Sequence, residues 1–273
     1  MFDTTHYSLL TIIFLFILGA SIGSFLNVLS DRLPKDQSIN GRSHCEHCRK
    51  TLSWLDLFPI ISFLYIRGRC RYCKKKLSWM YPISEIMTGL SFVSIWYLVP
   101  STGYYLFQNT IPNQDVLVYQ VLSTMYFILI ISILIAILLS DFKYQIIPDQ
   151  LVIALAIVSI YFVIAHPLDS LLGAIVTTGI IGLIFAMTKG KGMGFGDVKF
   201  AVPMGLILGA KSGFLALYLA FMIGGIVGIA LLLFKLKKIK SKIAFGPFLI
   251  VGMIIMLFLQ KPIYDLIDRF YSF

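Results

Sequence analysis

Apolar residues along this chain fall in long unbroken runs. They do not follow the alternating or 3.6-residue periods of water-facing elements. The runs cover about Leu9–Leu29, Met80–Val99, Val116–Leu139, Leu151–Ala165, Leu171–Met187, Gly213–Phe234 and Phe245–Leu259. A shorter run, Val198–Ala210, would rise only about 20 Å as a helix, against a hydrocarbon core of ~30 Å. It is counted as a span because a short helix is tolerated where it faces protein or a water-filled cavity. The pattern predicts an all-α polytopic membrane protein of about eight transmembrane helices. The first run has no Lys or Arg before it and no small-x-small site after it, so it reads as a permanent helix rather than a cleaved signal. The chain divides as 1–29, a first transmembrane helix; 30–79, a polar loop; and 80–273, a seven-helix membrane core.

Composition agrees. Of 273 residues, 58% are hydrophobic and 13% charged. Average soluble proteins carry roughly 45–50% and ~25%. The net charge of +10 looks like a nucleic-acid signal until it is mapped. With eight spans, the connections 30–79, 141–150, 188–199 and 235–244 share one side and hold 20 of the 23 Lys and Arg. Only Lys211, Lys261 and Arg269 lie on the other. Basic loops stay in the cytosol. The chain is therefore expected in the plasma (inner) membrane, with both termini outside and the 30–79 loop inside. Charge is spent on topology, and no nucleic-acid partner is expected. The sequence assigns no oligomeric state.

Residues 30–79 are too long and polar for a plain connection. They hold Cys45-x-x-Cys48 and Cys70-x-x-Cys73, two knuckles 21 residues apart. That spacing matches a tetrahedral four-cysteine zinc site, and a reducing cytosol disfavours disulfides. Four thiolates leave no open position, so the zinc is expected to be structural. Gly68 permits a tight turn before the second knuckle. Arg42, Arg49, Lys50, Arg69, Arg71 and Lys74–Lys76 would offset the thiolate charge. His44 and His47 read as neighbours of the site.

Carboxylates gather where spans meet the cytosolic side: Asp141, Asp149 after Ile147-Pro148, and Asp197 after Gly194-Phe195-Gly196. Two converging carboxyls cannot both ionise cheaply. One then serves as general base for water and the other as general acid for a leaving amine. Asp141 and Asp197 are the candidates, with Gly194 and Gly196 removing bulk beside the second. Plainer readings stand beside this one. Asp149 looks like a helix N-cap, Asp197 can cap a helix too, and Asp141 can mark the water interface. Glu85, inside the second span, is expected to bond a partner within the bundle.

Together these residues resemble the type IV leader peptidase family, the bacterial prepilin peptidases. The resemblance rests on Gly23–Val28 with Arg32-Leu33-Pro34, the four cysteines, and Arg67-Gly68-Arg69-Cys70. It also rests on Tyr81-Pro82 with Glu85, Asp141 with Ile147-Pro148-Asp149, Gly194–Lys199, and Phe245-Gly246-Pro247-Phe248. It implies an aspartic endopeptidase with Asp141 and Asp197 catalytic and Gly194, Gly196, Pro148 and Asp149 supporting. The implied substrates are type IV prepilins or pseudopilins in the lipid bilayer, cut after a leader glycine at the cytosolic face. It further implies N-methylation of the new terminus from S-adenosylmethionine, with Gly68, Glu85 and Asn27 as candidates for that step. Two rivals are a proton- or metal-coupled transporter and a membrane dithiol oxidoreductase using both CxxC pairs. Against the first, the acids lie at one face and no inverted repeat is visible.

Overall fold

The computed structural model describes residues 9–107, 116–234 and 244–271. The Lys235–Lys242 cluster lies outside the described residues. Eight α-helices follow in order: α1 Leu9–Arg32, α2 Ile61–Tyr65, α3 Met80–Phe107, α4 Val116–Tyr144, α5 Asp149–Ala165, α6 Pro167–Thr188, α7 Phe195–Leu233 and α8 Gly246–Tyr271. Among the described residues the only β pairing is two isolated bridges, both in the 30–79 loop. Among the described residues six helices are long and apolar enough to cross a membrane, and α5 is a shorter apolar helix. Many large apolar side chains on α1, α5 and α6 point outward, as lipid-facing helices require.

The expected sixth and seventh spans are one element, α7. They are separated by a single non-helical residue, Gly209 (φ 76°, ψ −179°). Only glycine adopts this backbone region without strain. Across the break the Ala210 N–H donates to Asp169 Oδ1 at 3.0 Å, so a carboxylate from α6 caps the second half of α7. Thr177 of α6 donates to the Ala201 carbonyl at 2.8 Å, and Gly173 and Gly205 let the two backbones touch. Packing and breakage together fix the first half of α7, which begins at the candidate acid Asp197.

The chain forms two compact units, Met1–Leu139 and Ser140–Phe273. In the first, α1 crosses α3 where Gly19 meets Gly89 and Gly23 meets the backbone of Glu85 and the Thr88 hydroxyl. The loop emerges between these helices. In the second, α7 packs against α5, α6 and α8.

Candidate active site

Asp141 lies in the last turn of α4 and Asp197 in the first turn of α7. α4 ends because Gln145 turns left-handed (φ 56°) and closes on the Asp141 carbonyl at 2.9 Å. Ser140 donates to the Ile146 carbonyl at 2.7 Å, folding the following segment back. Ile147 is thereby buried, and Pro148 opens α5. At the other helix, the Gly194 N–H donates to Asp197 Oδ2 at 3.0 Å, half of a capping box.

Both carboxyls are buried, Asp141 to 5% exposure and Asp197 to 6%. They lie within charge–charge range of each other. Asp141 Oδ2 has no well-directed hydrogen bond. It rests against Gly246, at the start of α8, where an added Cβ would overlap it. Ile147 spans the site: a Cβ on Gly196 would come within 3.1 Å of its Cβ, and one on Gly246 within 3.4 Å of its Cδ1. Gly194 is different. A Cβ there would sit at an ordinary 3.5 Å from Asp197 Oδ2, so the steric need falls on Gly196 and Gly246.

Asp149 does not cap α5. Pro148 takes that position, since its fixed φ of −66° suits a helix entrance. The Asp149 side chain instead grips Lys199 Nζ at 2.7 and 2.9 Å, on the partly exposed rim. Lys199 also lies over the Phe195 ring at 5.1 Å. The cation nearest to Asp197 in sequence is thus held by another acid.

In the loop the four cysteine sulfurs lie within 4.8 Å of one another, and Cys45 Sγ is 3.9 Å from Cys73 Sγ. A tetrahedral zinc with bonds of about 2.3 Å separates its sulfurs by just under 4 Å, so the donor set fits. The knuckles are built alike. The Cys45 N–H bonds Lys50 O, Arg49 N–H bonds Cys45 O, and Leu52 N–H bonds Ser43 O. With every number raised by 25, the same bonds recur at Cys70, Lys75, Lys74, Leu77 and Gly68. Arg49 and Lys74 occupy matching left-handed positions. Burial opposes ionisation of Cys70, but N–H donors from Cys73 and Tyr72 and its sulfur neighbours outweigh it, and its thiol falls to about 7. At Cys73 the N–H of Lys75 favours the thiolate; burial and the other sulfurs prevail, raising it to about 11. Arg71 is tied to Asp56 at 3.0 Å.

The three residues considered for methyl transfer all lie in the first unit. Gly68 is left-handed (φ 64°) and packs under Phe63, closing the second knuckle. Glu85 Oε2 accepts the Ile60 N–H at 2.7 Å, beside the Ser24 hydroxyl. Asn27 donates to Ser84 Oγ at 2.7 Å, while its Oδ1 is buried without a hydrogen bond. The sequence reading missed Gly246 and Ile147 as walls of the carboxyl pair. The available signals were the glycine beside the proline of Phe245–Phe248 and the place of Ile147 before Pro148-Asp149.

Residues 17–99 match the family described as Bacterial Peptidase A24 N-terminal domain, and residues 128–229 match the Type IV leader peptidase family. A prepilin leader peptidase/N-methyltransferase of Bacillus subtilis (strain 168) is 30% identical over 246 residues, covering 88% of this chain and 91% of that protein. The protein of that name from Aeromonas hydrophila is 30% identical over 278 residues, 87% of each chain. Its namesake from Myxococcus xanthus (strain DK1622) is 30% identical over 251 residues, 84% of this chain and 67% of that one. No solved structure matches. Matched along both of its units and at this identity, the chain belongs to the type IV leader peptidase family.

Proposed function

We propose that this chain is a membrane aspartic endopeptidase that removes the short basic leader of type IV prepilins or pseudopilins after a glycine. We place it in the plasma (inner) membrane with the loop and the carboxyl pair at the cytosolic face. The observation that carries this reading is the Asp141–Asp197 pair: two buried carboxyls on different helices, within charge range, with the neighbouring cation bound elsewhere. Such a pair shares one proton. Asp197 sits at a helix N-terminus and accepts a backbone N–H, both of which favour a negative charge. Asp141 sits at a helix C-terminus, and the Gly246 N–H beside its carboxyl is not well directed. We assign the resting proton to Asp141.

In this mechanism the Asp197 carboxylate takes a proton from water as its oxygen bonds to the carbonyl carbon of the leader glycine. Asp141 hydrogen-bonds the carbonyl oxygen as negative charge develops there. Its proton then passes to the leaving amine as the C–N bond breaks, and the carboxyls exchange a proton to reset. Gly196 and Gly246 leave the space beside the acids free of side chains. The test is mass spectrometry of a co-expressed prepilin. A cut after the leader glycine supports the reading. An intact precursor, or full cleavage by either Asp141→Asn or Asp197→Asn, rejects it.

Cys45, Cys48, Cys70 and Cys73 would hold one structural zinc that folds a loop too small for its own core. Their mutual clustering suits chelation better than two separate dithiol pairs. By the names of the relatives, the enzyme also N-methylates the new terminus. S-adenosylmethionine would supply the methyl group as an electrophile to the free amine. Gly68 and Glu85 are spent on holding the loop, so Asn27, with an unspent buried acceptor, is the residue left to contact that cosubstrate.

A further inference from the structure

Glu85 is the fifth residue beyond Met80 in α3, about 7 Å along the axis from the start of that span. Its buried carboxylate nevertheless bonds a loop residue, accepting the Ile60 N–H at 2.7 Å. Ile60 is strained. A β-branched residue at φ 62°, ψ −54° forms a γ-turn in which the Ile61 N–H bonds back to the Pro59 carbonyl. The strain has a geometric purpose. It reverses the chain at the depth of Glu85 and starts α2 there.

The side chains presented around that reversal are apolar. Phe63 turns inward against Gly68 and Trp79. Trp54, Phe58, Ile61, Leu64 and Tyr65 turn outward, with Trp54 67%, Ile61 67% and Tyr65 78% exposed. Five large apolar groups would be costly in water at one surface. Aromatic residues at this depth are the usual content of a membrane interface. The loop around them carries eleven Lys and Arg against four Asp and Glu, which suits anionic headgroups.

We propose that residues 54–65 form a wedge inserted in the interfacial layer of the leaflet on the loop's own side. Lipid covers its apolar face, and the basic knuckles lie over the headgroups. Glu85 is the pin that holds the wedge at that depth. The lipid contact is separate from the cleavage chemistry and survives or fails independently of it.

The test uses the full chain in nanodiscs of phosphatidylcholine and phosphatidylglycerol. The chain has three tryptophans, Trp54, Trp79 and Trp96. The variant W79F/W96F leaves Trp54 as sole reporter. Lipids brominated high on the acyl chain are expected to remove most of its emission, while aqueous iodide removes little. Strong iodide quenching without lipid quenching overturns the proposal. So does quenching by neither, which would mean that a second copy or another protein covers the face. If the double variant does not fold, W54F in the otherwise native chain gives the same reading. Its lipid-quenchable emission should fall relative to native, and an unchanged lipid-quenchable emission overturns the proposal.

Discussion

Cys45 and Cys70 are placed by backbone hydrogen bonds that repeat at an offset of 25 residues, whereas Asp141 and Asp197 are placed by helix ends and by missing side chains. In the loop, each knuckle is a local object. A CxxC turn closes through its own main chain, and a metal has only to join two copies. In the carboxyl site nothing is local. α4 supplies one acid and α7 the other. Ile147 and Gly246 form the walls, and a tight helix break at Gly209 seats the second acid's helix. The first arrangement tolerates exposed surroundings. The second needs burial, because a solvated carboxyl pair would simply ionise. Breaking either should therefore produce different symptoms.

The largest effect is expected at the acids. Asp141→Asn or Asp197→Asn should each lower prepilin cleavage by at least about 10²–10⁴-fold, the usual weight of general acid–base catalysis. Helical circular dichroism and zinc content should stay unchanged. A parallel loss of zinc would mean that the two sites are not independent, and the comparison would fail.

Next come the glycines, which separate steric need from motif membership. Gly246→Ala would drive a methyl group into the Asp141 carboxyl, whose flexible end must swing away. Cleavage should fall at least about tenfold, equivalent to ~1.4 kcal/mol in the barrier, with little loss of folded protein. Gly194→Ala meets Asp197 at an ordinary distance and should keep most of the activity. Kinetics on one prepilin decides it. If Gly194→Ala is the more damaging, Gly246 does not wall the site.

This contrast also marks how far the sequence could be read. The four-cysteine cluster was legible because the CxxC spacing is a short-range code for one ion-sized group of sulfurs. The 25-residue repeat is written in identities too, Cys45-x-x-Cys48-Arg49-Lys50-x-Leu52 recurring as Cys70-x-x-Cys73-Lys74-Lys75-x-Leu77, but only the backbone bonds show that the two turns are built alike. The apolar runs gave the helices, but not that Val198–Ala210 continues directly into the next span. Gly209 does in one residue what a loop was expected to do. The acids stood out because charge in an apolar chain is conspicuous. Gly246 did not, because a glycine's importance depends on what faces it from far along the chain. Asp149 was misread as a cap because its partner, Lys199, is 50 residues away.

Zinc removal tests the loop side. Chelation, or Cys45→Ser with Cys70→Ser, should disorder residues 30–79 and abolish binding of about one zinc per chain, measured by elemental analysis. Acidification should release zinc and alkali should not, because metal binding needs deprotonated thiols. Cleavage should suffer less than in the aspartate variants. Hydrogen exchange should show new opening within 30–79 while α7 and α8 stay protected.

The smallest effect is expected at the Asp149–Lys199 pair, and it is informative because it joins α5 to α7 at the edge of the carboxyl site. The pair is close and two-pronged, yet both groups are partly exposed, with side chains 36% and 60% accessible. Exposed pairs contribute about 0.2–1 kcal/mol, so Asp149→Asn and Lys199→Met should each cost no more than that in stability. A double-mutant cycle should return a coupling in the same range, shrinking as salt rises. Cleavage should change by less than about fivefold, which is what 1 kcal/mol allows. The reason is geometric. Residues two apart on a helix point to different sides, so Lys199 does not face Asp197 and its charge is not part of the proton exchange. A loss as deep as that of Asp197→Asn would instead mean that the cation helps hold the carboxyl pair in its working protonation state. The site would then depend on charge balance as well as on burial.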